Sequence, residues 1–264
     1  MTAVQKPMGR VWLSSIFLAL AALTVAMAAP EPANQLVVAG NACGPTALLN
    51  ALRFGNSDWQ RAATAITGET DKQWIYTIIR EYGMRPSSHF KGRPRWSRKG
   101  VNLADLADIA NELTHSHFLP LVSQEVVFLK AGESQEKQLG RVHDLMATSL
   151  KKGLPPIVSL RRYVRRATAG RAPEWLVLDA HFVTVTAVPR MEKGARSFPV
   201  SYIDPWGGTR CEGSIEIPDQ AVLADSSAAS PCLEAVFPLA VVGKNRVRSG
   251  EVHALTVAAV LGRW

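Results

Sequence analysis

Three residues able to work together stand at three turning points of this sequence: Cys43, His181 and Asp204. Cys43 opens Cys43-Gly44-Pro45-Thr46-Ala47-Leu48-Leu49, where a loop turns into a helix. Pro45 suits the first helical turn, because its missing N–H has no partner to lose there. Leu48, Ala51 and Leu52 recur at helical spacing, and Gly55 suits the left-handed residue that closes a helix. The expected helix therefore starts at the cysteine. A helix N-terminus carries unpaired N–H groups and partial positive charge, and both favour a thiolate nucleophile.

A thiol nucleophile needs a base, and the base needs something to orient it. His181 precedes Phe182-Val183-Thr184-Val185, so it is expected at the start of a strand with alternate residues buried. Asp204 closes the run Val200-Ser201-Tyr202-Ile203 and precedes Pro205-Trp206-Gly207-Gly208, a turn at a strand end. If the two strands are neighbours, Asp204 accepts from one ring nitrogen and the other takes the thiol proton. Singly, each residue has an ordinary structural use: a buried thiol, a core histidine, an Asp-Pro turn. Together, each at the end of an element, they point to nucleophilic catalysis.

Cys43-Gly44-Pro45, then His181-Phe182-Val183, then Asp204-Pro205 resembles the papain-like cysteine peptidases. The nearest branch is the double-glycine peptidases that process bacteriocin leaders, with their exported relatives. The resemblance covers three short motifs within residues 35–210. It implies Cys43 as nucleophile, His181 as base and Asp204 as orienter, with no cofactor. That family also places a glutamine six residues before the cysteine to complete the oxyanion hole. Here Val37 stands at that position. Asn41 is the expected donor and Gln35 the alternative, while capping of the helix is the ordinary use of Asn41. The spacing from Cys43 to His181 is longer than is usual in the branch, so the segments between them are expected to be insertions.

The other elements must position these residues. Residues 1–28 read as a secretory leader. Lys6 and Arg10 come first, then an apolar run from Val11, then the small-x-small site Ala26-Met27-Ala28. An uncleaved anchor is the rival, and the only route to a membrane. The 264-residue chain carries a formal charge of +8, and losing Lys6 and Arg10 leaves 8 − 2 = +6. Residues 29–264 are read as one domain. In an exported protein Cys211 and Cys232, close in sequence and in strand-like surroundings, are expected to form a disulfide and leave Cys43 free.

Leu36-Val37-Val38 reads as a strand. Helices are expected from Ser57 or Asp58 to Ile66, from Asp71 to about Gly83, from Val101 to Leu113 capped by Asn102, and over Gln135–Lys152. Residues 84–100 combine Arg85, Lys91, Arg93, Arg95, Arg98 and Lys99 with His89, Phe90 and Trp96, and read as a solvated surface loop inserted near a groove. His115 and His117 lack a third ligand at a recognised spacing, so no metal is expected. Strands are expected near 121–129, 156–164, 175–189, 198–203, 209–217, 233–242 and 252–261. Helices first and strands after argue for α+β, with a helical half packed on a largely antiparallel sheet. The expected function is an exported, secreted or periplasmic cysteine hydrolase, a thiol protease acting on a peptide or protein and not on nucleic acid. A papain-like binding module without activity, and acyl transfer to another amine, are the alternatives.

Overall fold

A computed structural model of the chain describes residues 30–167, 172–224 and 229–264. The leader over residues 1–28 lies outside them. A strap, residues 30–42, leads into helices α1 (Cys43–Arg53), α2 (Ser57–Thr64) and α3 (Asp71–Ile78). The caps of α2 and α3 are Asn56 and Thr70, just upstream of the expected Ser57 or Asp58 and Asp71. A capping oxygen must stand outside the helix to accept the N–H groups of its first turn. A wide turn, Ile79–Gly83, carries α3 on to Gly83. Next come the two-residue strands β1 (Trp96–Ser97) and β2 (Gly100–Val101), then α4 (Leu103–His115) capped by Asn102. Strand β3 (Ser123–Val126) and helix α5 (Gln135–Lys151) follow. Then come β4 (Ile157–Arg166), β5 (Glu174–Ala187), β6 (Ser197–Asp204), β7 (Thr209–Glu216), β8 (Leu233–Val236) and β9 (Val252–Gly262).

The class is α+β. Seven strands form one antiparallel sheet in the order β3-β9-β4-β5-β6-β7-β8. Strand β8 also pairs with β9, with Leu233 opposite Val257, so the strands from β4 to β9 close into a barrel. Side chains alternate across the sheet. Ile157, Phe182 and Leu261 face the layer of α1 to α4, whereas Val158, Val183 and Val260 face the barrel interior. Helix α5 joins the interior: Leu139, Val142, Leu145 and Met146 pack among Phe198, Val200 and Ile215. Each such side chain contributes roughly 1.5–3 kcal/mol when fully buried. The sheet is therefore covered on both faces, not by one helical half alone.

The strap departs from its expected strand. Gln35–Val37 is a single tight helical turn. Asn34 Oδ1 accepts from the Leu36 N–H, and the Gln35 N–H donates to the Pro205 carbonyl at 2.8 Å. With the N–H groups of Gln35, Leu36 and Val38 spent within the strap and on Pro205, the segment cannot continue a sheet ladder. Upstream, the buried Asn50 side chain grips Ala33. Its Oδ1 accepts from the Ala33 N–H at 2.7 Å, and its Nδ2 donates to the Ala33 carbonyl.

Residues 84–100 are a loop, but an anchored one. Arg85 and Arg95 both bind Glu112 of α4, and the hydrogen bond from Arg95 is the chief reason the Glu112 carboxyl titrates below its usual range. Ser87 and Ser88 donate to Asp105 and Asp108. The Trp96 indole is buried and donates to the Asn41 carbonyl at 2.9 Å.

The expected disulfide is absent: Cys211 and Cys232 are free, buried thiols. Register explains why. Strands β7 and β8 place Glu216 opposite Glu234, so Cys211 and Cys232 fall at opposite ends of the ladder. They are about seven steps apart, roughly 23 Å at ~3.3 Å per residue, far outside disulfide reach. Burial also pushes the Cys232 thiol up to about 12, which makes it a poor nucleophile.

Two outcomes follow from this architecture. Protein unfolded in guanidinium without reductant should titrate three thiols with DTNB. Asn50→Ala, which leaves the N–H and C=O of Ala33 buried without partners, should lower stability by about 1–3 kcal/mol in urea unfolding.

Candidate active site

Helix α1 is buried along nearly its whole length, and Cys43 is its first residue. The helix can lie this close to its neighbours because the next residue is glycine: a Cβ at Gly44 would overlap Val101 of β2 and touch Phe182 of β5. Strand β5 is tied to the same helix from below, where Thr184 Oγ1 donates to the Ala47 carbonyl at 2.9 Å. That bond fixes β5 against α1 three residues past His181.

His181 lies inside β5 rather than at its start. Its position marks a different boundary. The strand is largely exposed as far as Ala180, and from His181 to Val185 it is buried. The sequence pattern registered where burial begins, because the exposed half of β5 is an outward ribbon paired with β4.

Asp204 ends β6 as expected, and β5 and β6 are neighbours, with Thr184 opposite Ile203. His181 and Asp204 are 3% and 0% exposed. His181 Nε2 donates to Asp204 Oδ1 at 2.7 Å. That leaves Nδ1 for Cys43, one of the groups that hold the pKa of the ring up. The carboxylate is held from two further sides. The Trp206 N–H donates to Oδ1 and the Val241 N–H to Oδ2, each at 2.8 Å. No local signal marks Val241, which lies within the strand expected over 233–242. The strand stops at Val236, and the N–H of Val241 is thereby released to the carboxylate.

Burial alone lowers the pKa of His181, since it disfavours a charged ring. The hydrogen bond to Asp204 and the contact with Cys43 outweigh it, and the imidazole is raised from 6.5 to about 9. The site thus favours the imidazolium.

A cleft of about 430 Å³ opens on His181. One bank is the strap, with Gln35, Leu36 and Asn41; the other includes Trp206, Val241 and Lys244. Asn41 does not cap α1, which has no side-chain cap. Its backbone is instead fixed by the anchored loop, with its N–H on the Arg98 carbonyl and its carbonyl on Trp96. Gln35 is 4% exposed and lines the same cleft, and its Oε1 has no partner among the described residues. The turn at Gln35–Val37 carries it there despite its distance from the cysteine in sequence. His115 ends α4, whereas His89 of the loop stands with Asp105 and Asp108, their ligand-type atoms within 4.8 Å of one another.

An α+β barrel with a helix-borne cysteine, a buried histidine and a buried aspartate defines the protein at the level of its architecture. No protein-family model, no curated protein and no solved structure matches the chain.

The raised value of His181 has a measurable sign. A charged ring favoured in the folded state adds stability that is complete below its ordinary value and is lost as pH climbs through about 9. The urea midpoint should therefore fall from about pH 7 to about 9.5 in the wild type. In Asp204→Asn, which removes the charge facing the ring, the slope should flatten.

Proposed function

We propose that this protein is a cysteine hydrolase of papain-like type, cleaving amide bonds in a peptide or protein through an acyl-thioester on Cys43. The observation that carries the reading is the buried line Cys43–His181–Asp204, with both carboxylate oxygens of Asp204 anchored by backbone N–H groups. An aspartate used only for a turn needs no imidazole. A histidine used only for packing needs no thiol and carboxylate on its two sides. The placement of the cysteine on a helix N-terminus against an antiparallel barrel is what a papain-like fold requires. The leader-like residues 1–28 point to action outside the cytoplasm.

In this mechanism His181 Nδ1 takes the Cys43 thiol proton while Nε2–H stays on Asp204. The thiolate adds to the substrate carbonyl carbon, and the π electrons move onto oxygen. That oxyanion meets the N–H at the start of α1 and an amide N–H of a cleft side chain. Collapse breaks the C–N bond, and the imidazolium gives its proton to the leaving amine. Water, deprotonated by the neutral ring, then adds to the thioester and releases the acid and the thiol.

Gln35 suits the oxyanion role better than Asn41. Its side chain is buried at the cleft, and with Oε1 unpartnered among the described residues the amide is free to turn its N–H toward the oxyanion. The proposed donor is therefore the alternative residue, eight positions upstream of the nucleophile.

Iodoacetamide labelling across pH tests the nucleophile. Cys43 should alkylate faster than a model thiol at about pH 6, while Cys211 in β7 and Cys232 just ahead of β8, away from the His181 ring and the start of α1, stay unlabelled in the folded protein. Turnover of a casein-type or peptide-library substrate should vanish in Cys43→Ser and His181→Ala. Gln35→Ala should lower kcat about 10²–10³-fold with the fold intact. Labelling no faster than a model thiol would sink the reading.

A further inference from the structure

The cleft has a chemical signature beyond the catalytic line. Part of its lining is apolar: Leu36 and Val38 come from the strap, and Trp206 and Val241 from the opposite bank. Leu36 and Val241 are well exposed although both are aliphatic. Each bank then ends in cations. On the strap side Gly40 takes a left-handed conformation, with φ +96, and lies directly under Arg98: a Cβ there would stand 3.2 Å from the Arg98 Cα. Arg98 and the adjacent Lys99 are exposed, and neither is in an ion pair among the described residues. On the far side Lys244 lines the cleft with its ammonium over the Trp206 ring, 5.4 Å from its centroid, and exposed Arg246 follows.

One carboxylate, Asp179, also lines the cleft. It is turned inward. Oδ1 accepts from Asn245 Nδ2 at 2.8 Å, Oδ2 makes no hydrogen bond among the described residues and faces Arg162 at 3.9 Å, and the side chain is 8% exposed. Its charge lies on the buried side toward Arg162, and the exposed charges on both banks are positive.

We propose that the cleft binds an extended acidic peptide: an aliphatic residue settles between Leu36, Val38 and Val241, and flanking carboxylates meet Arg98 on one bank and Lys244 on the other. This names the substrate class of the hydrolase and rests on the reading of Cys43 as its nucleophile. A peptide fits better than a polynucleotide. The apolar walls are aliphatic rather than stacking surfaces, and the one tryptophan face in the cleft is already covered by Lys244. Arg85 and Arg95, the loop arginines best placed to broaden a polyanion surface, are turned onto Glu112.

The test uses binding, so that it does not depend on turnover. Full-length Cys43→Ala is titrated by fluorescence anisotropy with three labelled peptides of one aliphatic centre, flanked by glutamates, glutamines or lysines. The glutamate peptide should bind tightest, with an advantage that shrinks as salt is raised. Arg98→Glu and Lys244→Glu should each weaken it about three- to tenfold, the scale of reversing an exposed charge pair. Lys151→Glu, on exposed α5 surface, should leave it unchanged and so separates a local effect from net charge. Equal or tighter binding of the glutamine or lysine peptide overturns the proposal. So does an equal loss in all three variants, or single-stranded polynucleotide that binds more tightly than the glutamate peptide. If the acidic preference holds while wild-type protein shows no Cys43-dependent turnover, the hydrolase reading has failed and the docking surface has not.

Discussion

The hydrogen bond between His181 and Asp204 sets the terms for the rest of the molecule. Both side chains are withdrawn from water. An ion pair so placed loses several kcal/mol of hydration per charge, and its mutual attraction repays this only when geometry is good and every remaining polar atom is satisfied. The fold meets that demand with backbone. The turn after β6 supplies the Trp206 N–H, and the early end of β8 supplies that of Val241. Side chains could swing away from the carboxylate; these amides belong to backbone, in the turn after β6 and the segment after β8.

The second dependence runs through the strap. Asn34 ties it to the Gly207 N–H, Asn50 holds Ala33, and Gln35 hangs from Pro205. These bonds reach the same turn that carries Asp204. The nucleophile's helix, the orienter's turn and the cleft's near bank are therefore one connected body. The loop over residues 84–100 completes it from outside by gripping the backbone of Asn41. What looked in sequence like a solvated insertion is a buttress for the segment just ahead of the cysteine.

Much of this was legible from the residues. The helix beginning at Cys43, the neighbouring strands bearing His181 and Asp204, and the order of helices before strands all leave local signals: caps, breakers and periodicity. What was not legible is long-range. The burial of His181 in mid-strand depends on where β6 joins the sheet. Val241 depends on where β8 stops. The strap turned out to be a turn because its donors found Pro205 and Asn34, partners that periodicity does not report. The disulfide failed for the same reason. Closeness along the chain suggested Cys211 and Cys232, and the β7–β8 register carried them to opposite ends.

The anchoring of Asp204 by Val241 has a consequence in time. Cys43 and its helix emerge early during synthesis. The amide that immobilises the carboxylate, and the strand β9 that closes the barrel, emerge last. A partly made chain therefore holds a cysteine with no ordered base beside it. Until that final strand arrives, the thiol has neither an ordered His181–Asp204 pair beside it nor a closed barrel behind it.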